Sequence, residues 1–283
     1  MISRQYIYDI APLEDFDIRL IFECGQSFRF FPAERDGRQG YEGVAAGSFI
    51  RAEKARDGCI RVVSDAGKQF IDEYFDMSTD YSCVRSDILA HSMQNAALYD
   101  TMTRAMKAGT GIRILHQEPF ETLISFITSQ NNNIPRIRSL IARLCRELGN
   151  GFESPYGETV YAFPTAEAVA SAGEKALLDM KFGFRAKYIA RCAETVASGR
   201  FDLSSVSGLR DDEARMELMT LYGVGPKVAN CVLLFGYARK DMFPVDVWIK
   251  RAINTRFGGT LPDFGAYAGI AQQYIFNNER NEI

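Results

Sequence analysis

The feature that most restricts the fold of this 283-residue chain is a glycine hairpin that leads directly into an apolar helix. The hairpin is Gly223-Val224-Gly225, and Pro226 follows at a first-turn position that a helix tolerates. Two glycines allow a tight turn in which bare backbone amides can approach a phosphate closely. Residues 226–238 are apolar on nearly every side of the predicted helix, so we expect this helix to be buried.

Lys227 stands at the start of this predicted helix. A charged side chain in a buried helix is costly unless it is used. Burial and the positive helix end both favour the neutral amine, which can act as a nucleophile. The alternative is an ordinary lysine whose ammonium reaches the surface beside the hairpin.

Asp246 follows Lys227 by nineteen residues and comes directly after Pro244 and Val245. Aspartate is a favoured helix N-cap, and that role alone would explain it. A carboxylate fixed at a helix start can also stabilise a developing positive charge and help proton transfer. The two roles are compatible, and the pairing with Lys227 favours a chemical role in addition to the cap.

Four more blocks of sequence occur in order along the chain, at residues 24–29, 125–137, 183–188 and 267–276. The first reads Cys-Gly-Gln-Ser-Phe-Arg, the second contains Asn-Asn-Asn-Ile-Pro-Arg, and the third reads Gly-Phe-Arg-Ala-Lys-Tyr. Together with the hairpin and its aspartate, these blocks resemble the 8-oxoguanine DNA glycosylases of the helix-hairpin-helix, glycine/proline-aspartate superfamily. A lone Gly-x-Gly hairpin would be weak evidence, whereas five blocks in register indicate this family and not merely its superfamily.

The resemblance implies a bifunctional DNA repair enzyme. Such an enzyme flips 8-oxoguanine out of duplex DNA, excises it, preferably opposite cytosine, and then cleaves the strand. Lys227 would attack the sugar C1′, form a Schiff base with the DNA and permit β-elimination of the 3′ phosphate. Asp246 would stabilise the cationic sugar of the transition state and help proton transfer.

The resemblance also implies a base pocket formed by Gly25, Cys231, Gln272 and Phe276. The Gly25 carbonyl would accept the N7 hydrogen, which 8-oxoguanine carries and guanine lacks. Gln272 and Phe276 share one helix face, so the amide could read the Watson–Crick edge while the ring stacks on the base. Without the resemblance, they would be a solvated glutamine and a core phenylalanine. Cys231 lies one turn after Lys227 and would either pair with its ammonium as a thiolate or pack in the core.

A further group of residues is expected to contact the rest of the DNA. The residues implied at the orphaned cytosine and in the space left by the flipped base are Asn131, Arg136, Phe184 and Arg185. Those implied at the DNA backbone are Gly223, Gly225 and Trp248. The alternatives are a helix-terminating asparagine loop and arginines that bind phosphate.

Three positions depart from the better-known eukaryotic pattern of the family. Trp248 replaces a histidine, Asn230 replaces an aspartate, and Phe235 replaces a methionine. The departures affect the expected phosphate contact near Trp248 and the detailed shape of the pocket, but not the reaction class. Together with the lack of a basic run in residues 277–283, they favour a prokaryotic member.

Composition and the cysteine pattern narrow the class of protein further. The chain is 47% hydrophobic, and no apolar run approaches the roughly 18 residues of a membrane span. Residues 1–9 lack the continuous apolar core of a signal peptide, so we expect a cytoplasmic, nucleoid-associated monomer that does not contact membranes. The six cysteines include no Cys-x-x-Cys pair, which argues against zinc and iron–sulfur sites. With only two histidines as well, we expect neither a metal site nor a cofactor.

The net charge of −3 at first sight opposes a DNA partner. Whole-chain charge is a poor guide, however, because a local patch can supply the phosphate contacts. Residues 225–256 hold six lysines and arginines against two acids, and residues 136–146 hold four arginines. The alternative is a pair of solvated helix faces. With the motifs included, the expected partner is double-stranded DNA that contains 8-oxoguanine.

The expected fold class is α+β. Residues 1–105 are predicted to form an N-terminal twisted antiparallel sheet domain, with β-forming segments at 27–31, 48–51 and 59–63 and turns at Asp36-Gly37 and Asp57-Gly58. Residues 106–283 are predicted to form mostly helical domains, with the helix-hairpin-helix at about 212–238. Apolar spacing from about residue 84 onward predicts helices at 119–130, 134–148, 186–198, 213–221, 226–238 and 264–276.

Two other functions stay open at this point. A broader alkylpurine glycosylase would not need Lys227. A non-catalytic DNA-binding module would use the hairpin alone and would leave both Lys227 and Asp246 unexplained. Borohydride trapping on damaged DNA separates the first function from these two, because only a lysine lyase forms a reducible covalent link.

Overall fold

The computed structural model describes residues 6–10, 15–55 and 58–281. Its N-terminal part contains an antiparallel five-stranded sheet with the strand order β1-β5-β4-β3-β2. The strands are β1 (Tyr6–Ile10), β2 (Phe31–Arg35), β3 (Arg38–Ala45), β4 (Ser48–Lys54) and β5 (Ile60–Ser64). The antiparallel sheet predicted from the sequence is therefore confirmed.

The alternation of side chains along β4 decides how the two faces of the sheet are covered. Ile50 and Ala52 are buried on one face in an apolar core that includes Phe22. Arg51 lies on the opposite face, where its guanidinium binds the carboxylates of Glu42 and Glu53 at 2.7 and 2.6 Å. The central strand is thus buried on both faces, by apolar packing on one and by paired charges on the other.

The strand predicted at 27–31 is wrong for residues 27–30. This segment forms no regular strand, and β2 begins only at Phe31. The side chain of Gln26 explains the difference, because it ties the segment to a neighbouring loop. Its Nε2 donates to the Arg113 carbonyl at 2.8 Å, and its Oε1 accepts from the Leu115 amide at 2.9 Å.

The two turns predicted in the sheet region have different outcomes. Asp36 and Gly37 join β2 to β3 with positive φ angles of 50° and 71°, as the turn prediction requires. β4 and β5 form the predicted hairpin, in which Lys54 pairs with Ile60. Asp57, which belongs to the predicted turn of that hairpin, lies outside the described residues.

Helices account for most of the chain after the sheet. The α-helices of the described residues are α1 (Ile18–Glu23), α2 (Lys68–Tyr74), α3 (Tyr81–Ser92), α4 (Ala96–Gly109), α5 (Pro119–Thr128), α6 (Ile134–Leu148), α7 (Ala166–Asp179), α8 (Arg185–Ala197), α9 (Asp211–Leu218), α10 (Pro226–Gly236), α11 (Val247–Arg256) and α12 (Ala268–Asn281). A small hairpin of β6 (Gly151–Glu153) and β7 (Thr159–Tyr161) lies between α6 and α7. The six helices predicted from apolar spacing are present, with ends shifted by a few residues, so the α+β class is confirmed.

The predicted helix-hairpin-helix consists of α9, the glycine hairpin and α10. Gly223 has a φ of 86°, and a side chain there would collide with the ring of Tyr188. Gly225 is the N-cap of α10. This helix is buried as predicted, and its Phe235 ring stacks on Phe126 of α5 with 5.3 Å between ring centres.

Glycines allow the last helix, α12, to approach two other segments closely. A Cβ atom at Gly109, the last residue of α4, would lie 2.7 Å from the ring of Tyr274. A Cβ atom at Gly269 would lie 2.5 Å from the carbonyl of Met242, which precedes α11. The position of α12 beside α4 and α11 therefore depends on these two small residues.

Ion pairs join the sheet to the helical part of the chain. Arg35 of β2 binds Glu158 next to β7 at 2.5 Å, and Arg29 binds Glu121 of α5 at 3.0 Å. Arg29 and Glu121 are both buried, so removing either partner alone would leave an uncompensated charge. The domain boundary between residues 105 and 106 stays a prediction.

No α-helix within residues 6–10, 15–55 and 58–281 is long and apolar enough to cross a membrane. The prediction that residues 1–9 are not a signal peptide and the argument from the lack of a basic run in residues 277–283 rest in part on residues 1–5 and 282–283. These residues lie outside the described residues.

Candidate active site

A cavity of about 840 Å³ opens where α5, α6, α10, α11 and α12 meet. Its volume falls within the roughly 300–1,000 Å³ that is usual for ligand sites. The predicted site residues that line it are Gly25, Asn131, Lys227, Cys231, Asp246, Trp248, Gln272 and Phe276. The predicted site residues outside the lining are Arg136, Phe184, Arg185, Gly223 and Gly225.

Lys227 lies in the first turn of α10, and its side chain is half-buried. Its Nζ donates a hydrogen bond to Ser129 Oγ at 3.0 Å and lies 4.8 Å from the centre of the Phe126 ring. Ser129 Oγ in turn donates to the Phe126 carbonyl at 2.7 Å. Because a serine hydroxyl has only one hydrogen, its oxygen is left to accept from Lys227. The amine is therefore held at one point of the cavity wall.

Ser129 was not singled out from the sequence, although it lies within the block 125–137. A serine at the end of a helix gives no periodic or charge signal. Its part in the site follows only from the approach of α5 to α10, which brings its hydroxyl to the amine of Lys227.

Asp246 is the N-cap of α11, as one of its two predicted roles requires. Its Oδ1 accepts from the backbone amides of Trp248 at 3.0 Å and Ile249 at 2.9 Å. Burial raises the pKa of the Asp246 carboxyl, although the two amides and the charge of Lys227 act in the opposite direction. A raised pKa brings the carboxyl closer to the range of general acid–base groups, so the cap and a chemical role are compatible.

Cys231 lies one turn after Lys227 on α10 and is buried in the cavity wall. Burial raises the pKa of its thiol to about 11, and the nearby charge of Lys227 offsets this only in part. Cys231 is therefore a neutral thiol at neutral pH. Of the two alternatives, packing as a thiol is favoured over pairing as a thiolate.

Gly25 brings a turn of the N-terminal region against α12. Its φ of 82° lies in the left-handed region, which side chains rarely adopt. A Cβ atom at this position would lie 3.2 Å from the side chains of both Ile134 and Phe276. The backbone of Gly25 can approach Phe276 this closely only because it carries no side chain.

Gln272 and its neighbour Gln273 are both buried and both line the cavity. The Nε2 of Gln273 donates to the Oε1 of Gln272 at 2.7 Å. Gln273 was not predicted as a site residue, because it follows Gln272 by 100° around the helix and is off the face shared by Gln272 and Phe276. The cavity is wide enough to include both positions.

The loop between α5 and α6 presents Asn131 at the cavity rim. Asn131 is exposed and has a φ of 46°, a left-handed conformation that asparagine tolerates. Arg185 is buried beneath this loop. Its guanidinium donates to the Gln130 carbonyl at 2.5 and 2.7 Å and to the Asn131 carbonyl at 2.7 Å. Arg185 thus holds the loop in this structure, a contact that the sequence did not predict.

The surroundings of Arg185 connect this loop to the glycine hairpin. Burial, and secondly the charge of Arg136, lower the pKa of the Arg185 guanidinium. The Gln130 side chain donates to the Gly223 carbonyl at 3.0 Å. Phe184 is 52% exposed, and the Arg185 guanidinium lies 4.5 Å from the centre of its ring. An exposed aromatic ring therefore projects beside the rim of the cavity.

The cavity is lined by more positive than negative side chains. The cations are Arg138, Lys227, Lys250 and Arg280, and the acids are Glu23 and Asp246. At the hairpin, a Cβ atom on Gly225 would meet nothing within 4 Å, so there is open space beside this residue at the start of α10. No group of three or more histidine, cysteine, aspartate or glutamate residues that could hold a metal ion occurs in the described part of the chain.

Two family models match consecutive parts of the chain. Residues 10–123 match the N-terminal domain of 8-oxoguanine DNA glycosylase, and residues 124–261 match the HhH-GPD superfamily of base excision DNA repair proteins.

Similar proteins, one with a solved structure and two compared by sequence, agree with these two family matches. The chain is similar to an 8-oxoguanine glycosylase/lyase of Clostridium acetobutylicum in complex with double-stranded DNA containing cytosine opposite 8-oxoguanine. The TM-score is 0.85 at 31% identity, covering 98% of this chain and 99% of that one. An N-glycosylase/DNA lyase of Saccharomyces cerevisiae is 36% identical, and the chain spans 50% of its length. A probable N-glycosylase/DNA lyase of Methanothermobacter thermautotrophicus is 27% identical, with 95% of both chains covered.

Proposed function

The chain belongs to the 8-oxoguanine DNA glycosylase family of the HhH-GPD superfamily, and on that premise we propose that it excises 8-oxoguanine from duplex DNA and then cleaves the strand. The observation that carries the proposal is that Lys227 and Asp246 line the same cavity, next to the glycine hairpin that precedes α10. A DNA-binding module that used the hairpin alone would leave this pairing unexplained.

The covalent step is assigned to Lys227. In its neutral form, the Nζ lone pair forms a bond to the sugar C1′ while the bond from C1′ to the base breaks, and the base leaves with that electron pair. Opening of the sugar ring then gives an imine between Lys227 and C1′. Loss of a C2′ proton from the imine expels the 3′ phosphate by β-elimination. Ser129 supports this step because its hydroxyl fixes the position of the amine.

Asp246 is assigned two tasks, which are to stabilise the positive charge on the sugar and to transfer protons. Its carboxylate can stabilise the positive sugar that develops as the base leaves. Burial raises its pKa, which favours a part in proton transfer as well. The two amides of α11 that bind its Oδ1 keep the carboxylate in place.

The remaining site residues are assigned to reading the DNA. Within the cavity, the Gly25 carbonyl accepts the N7 hydrogen of the lesion, Gln272 binds its Watson–Crick edge and Phe276 stacks on it. Cys231 forms part of the pocket wall as a neutral thiol. The DNA backbone is contacted by Gly223 and Gly225 outside the cavity and by Trp248 in its lining. Asn131, Arg136 and Phe184 form the side of the site that faces the opposite strand, and Arg185 holds the Asn131 loop on that side.

Borohydride trapping on a duplex with one 8-oxoguanine tests the proposal. A reducible covalent adduct together with release of the base is expected, since only an imine to the DNA is trapped in this way. Base release without an adduct would favour a monofunctional glycosylase, and binding without either would favour a DNA-binding module. We also expect the protein to act as a monomer, without a cofactor, on the nucleoid of a prokaryotic cell.

Substitution of Ser129 by alanine is expected to slow formation of the trapped adduct by about tenfold, the scale of a lost hydrogen bond to a charged or polar partner. Ser129→Thr retains the hydroxyl and should keep most of the rate. The measurement is the single-turnover rate of trapping at saturating DNA, with the Kd for damaged duplex measured in parallel. Only the rate should change.

Ser125→Ala is the matched control for Ser129, because Ser125 is a buried serine of the same helix that does not line the cavity. Its trapping rate should stay close to that of the unmodified protein. Equal rates for the two alanine variants would show that Ser129 does not position Lys227.

Excision opposite cytosine is expected to exceed excision opposite adenine by about tenfold or more, since a specific base contact is worth about 1–3 kcal/mol. Arg136 is exposed and can donate to the cytosine acceptors, so Arg136→Ala should reduce this preference. Arg185 holds the Asn131 loop through two carbonyls. Arg185→Ala should therefore slow excision opposite every base.

Single-turnover excision opposite each of the four bases measures these effects. Arg146→Ala serves as the control, because Arg146 is an exposed arginine at the far end of α6. Equal rates opposite cytosine and adenine in the unmodified protein would refute the predicted preference for cytosine. Phe184, which stands where tyrosine is common in the family, would then be the first residue to substitute.

A further inference from the structure

Aromatic rings and cations form a continuous patch between the start of α8 and the glycine hairpin. We call it the α8 patch, and its members are Phe184, Lys187, Tyr188, Arg191 and Tyr222. The Tyr188 ring packs edge-on against both Phe184 and Tyr222, with 5.9 and 5.3 Å between ring centres. Because Phe184 is 52% exposed and Tyr222 is 42% exposed, both ends of this row of rings are accessible to a partner.

Tyr222 holds two cations of α8 over its ring. The guanidinium carbon of Arg191 lies 4.5 Å from the ring centre, and the Nζ of Lys187 lies 5.7 Å from it. Attraction to an aromatic ring restricts the positions of these two long side chains. The same contacts occupy the ring, so Tyr222 is suited to placing positive charge and not to stacking on a base.

Lys187 and Arg191 bring two like charges together. They are four residues apart on α8 and both are exposed, and like charges at this spacing destabilise a helix. Glu194 is the acid of the same helix, but neither it nor any other acid forms an ion pair with these cations in the part of the chain that the structure describes. An anion from outside the chain would relieve the repulsion, so the α8 patch is complementary to a polyanion.

We propose that the α8 patch binds the phosphate backbone of duplex DNA beside the lesion. Continuity with the other proposed DNA contacts favours this partner, since Tyr222 directly precedes Gly223 of the hairpin and Phe184 stands at the other end of the patch. The inference rests on the proposed function only for the identity of the ligand. It adds a contact that contributes affinity without reading any base, so it acts equally on damaged and undamaged duplex.

Lys187→Gln, Arg191→Gln and the double variant test the inference. The Kd is measured over a range of salt concentrations for two duplexes of one sequence, with and without 8-oxoguanine. Each phosphate contact contributes about 0.9 to the slope of log Kd against log salt concentration. Each single variant should therefore raise the Kd of both duplexes alike and lower this slope by about 0.9, and the double variant should lower it by about 1.8.

Arg200→Gln is the matched control for these variants. Arg200 is an exposed arginine beyond the end of α8 and outside the α8 patch, so its substitution removes the same charge from the same region of the chain. It should leave the slope and both Kd values close to those of the unmodified protein. Equal slopes for Arg200→Gln and the double variant would overturn the inference. A loss of affinity for damaged duplex alone would overturn it too, because a backbone contact does not recognise the lesion.

Substitution of Tyr222 tests the part of the ring without changing the net charge. Tyr222→Ala should raise the Kd of both duplexes by about two- to fivefold, the scale of an exposed cation–aromatic contact. Tyr222→Phe keeps the ring and should bind as the unmodified protein does. Equal Kd values for the two variants would show that the ring does not place the cations. If Tyr222→Ala lowers the Tm, the glutamine variants decide, because they leave the ring and the hairpin in place.

Failure of the proposed function can be distinguished from failure of this inference. If the unmodified protein neither releases 8-oxoguanine nor forms a trapped adduct, the proposed function is wrong, and the Kd values for undamaged duplex still test the α8 patch. If it does both, and the double glutamine variant binds both duplexes as tightly as the unmodified protein, only the inference is wrong.

Discussion

Lys227→Gln is expected to abolish both base release and strand cleavage while damaged duplex is still bound. Glutamine is polar and only one bond shorter than lysine, but it has no nucleophilic amine. Contacts with the DNA backbone come from the hairpin amides and from other cations of the cavity, so binding should survive. The measurements are single-turnover excision, borohydride trapping and the Kd for a duplex with 8-oxoguanine.

Lys250→Gln separates loss of the nucleophile from loss of a positive charge. Lys250 lines the same cavity from α11, so this variant removes one charge from the same region. It should weaken binding and reduce its salt dependence, yet still yield a trapped adduct. Full excision by Lys227→Gln would show that another group attacks the sugar.

Asp246→Asn is expected to slow excision by about 100-fold or more, the scale of a lost acid–base or electrostatic group. The same substitution should leave the Tm unchanged or raise it. Asparagine is also a good N-cap, and its Oδ1 can accept from the same two amides. In addition, burial raises the pKa of Asp246 above its value in the unfolded chain. At neutral pH the ionised carboxylate therefore destabilises the folded state relative to the unfolded one. A neutral amide removes that cost.

Asp80→Asn is the matched control for Asp246. Asp80 caps α3 in the same way, accepting from the amides of Ser82 and Cys83, but it is exposed and away from the cavity. Its substitution should leave the excision rate unchanged. If Asp246→Asn instead lowers the Tm and keeps the rate, Asp246 is a helix cap and nothing more.

Much of the fold could be predicted because its strongest elements carry local signals. Apolar spacing and a first-turn proline located α5, α6 and α10 to within two residues at their ends. The failure at residues 27–30 has a tertiary cause. A β-forming sequence is held out of the sheet by the contacts of Gln26 with Arg113 and Leu115, which lie nearly ninety residues away in sequence.

The site was predictable where a residue belongs to a motif and unpredictable where its role depends on packing. Lys227 and Asp246 were identified from their motifs, and the cavity contains both. Ser129 and Gln273 have no periodic or charge signal, and their importance appears only in hydrogen bonds between neighbouring elements or residues. Arg185 is a mixed case. The sequence identified the residue, but it did not predict the hydrogen bonds of its guanidinium with the loop carbonyls.

The cavity-lining residues fall into two groups according to their position along the chain. Lys227 and Asp246, which are assigned to bond breaking, lie within the superfamily segment 124–261. Gly25 lies before that segment, and Gln272 and Phe276 lie after it. Most of the residues proposed to read the lesion therefore lie outside the superfamily segment, whereas the two proposed to break bonds lie inside it. Substitutions at Gly25, Gln272 or Phe276 are thus expected to change which damaged base is removed while Lys227 and Asp246 stay intact.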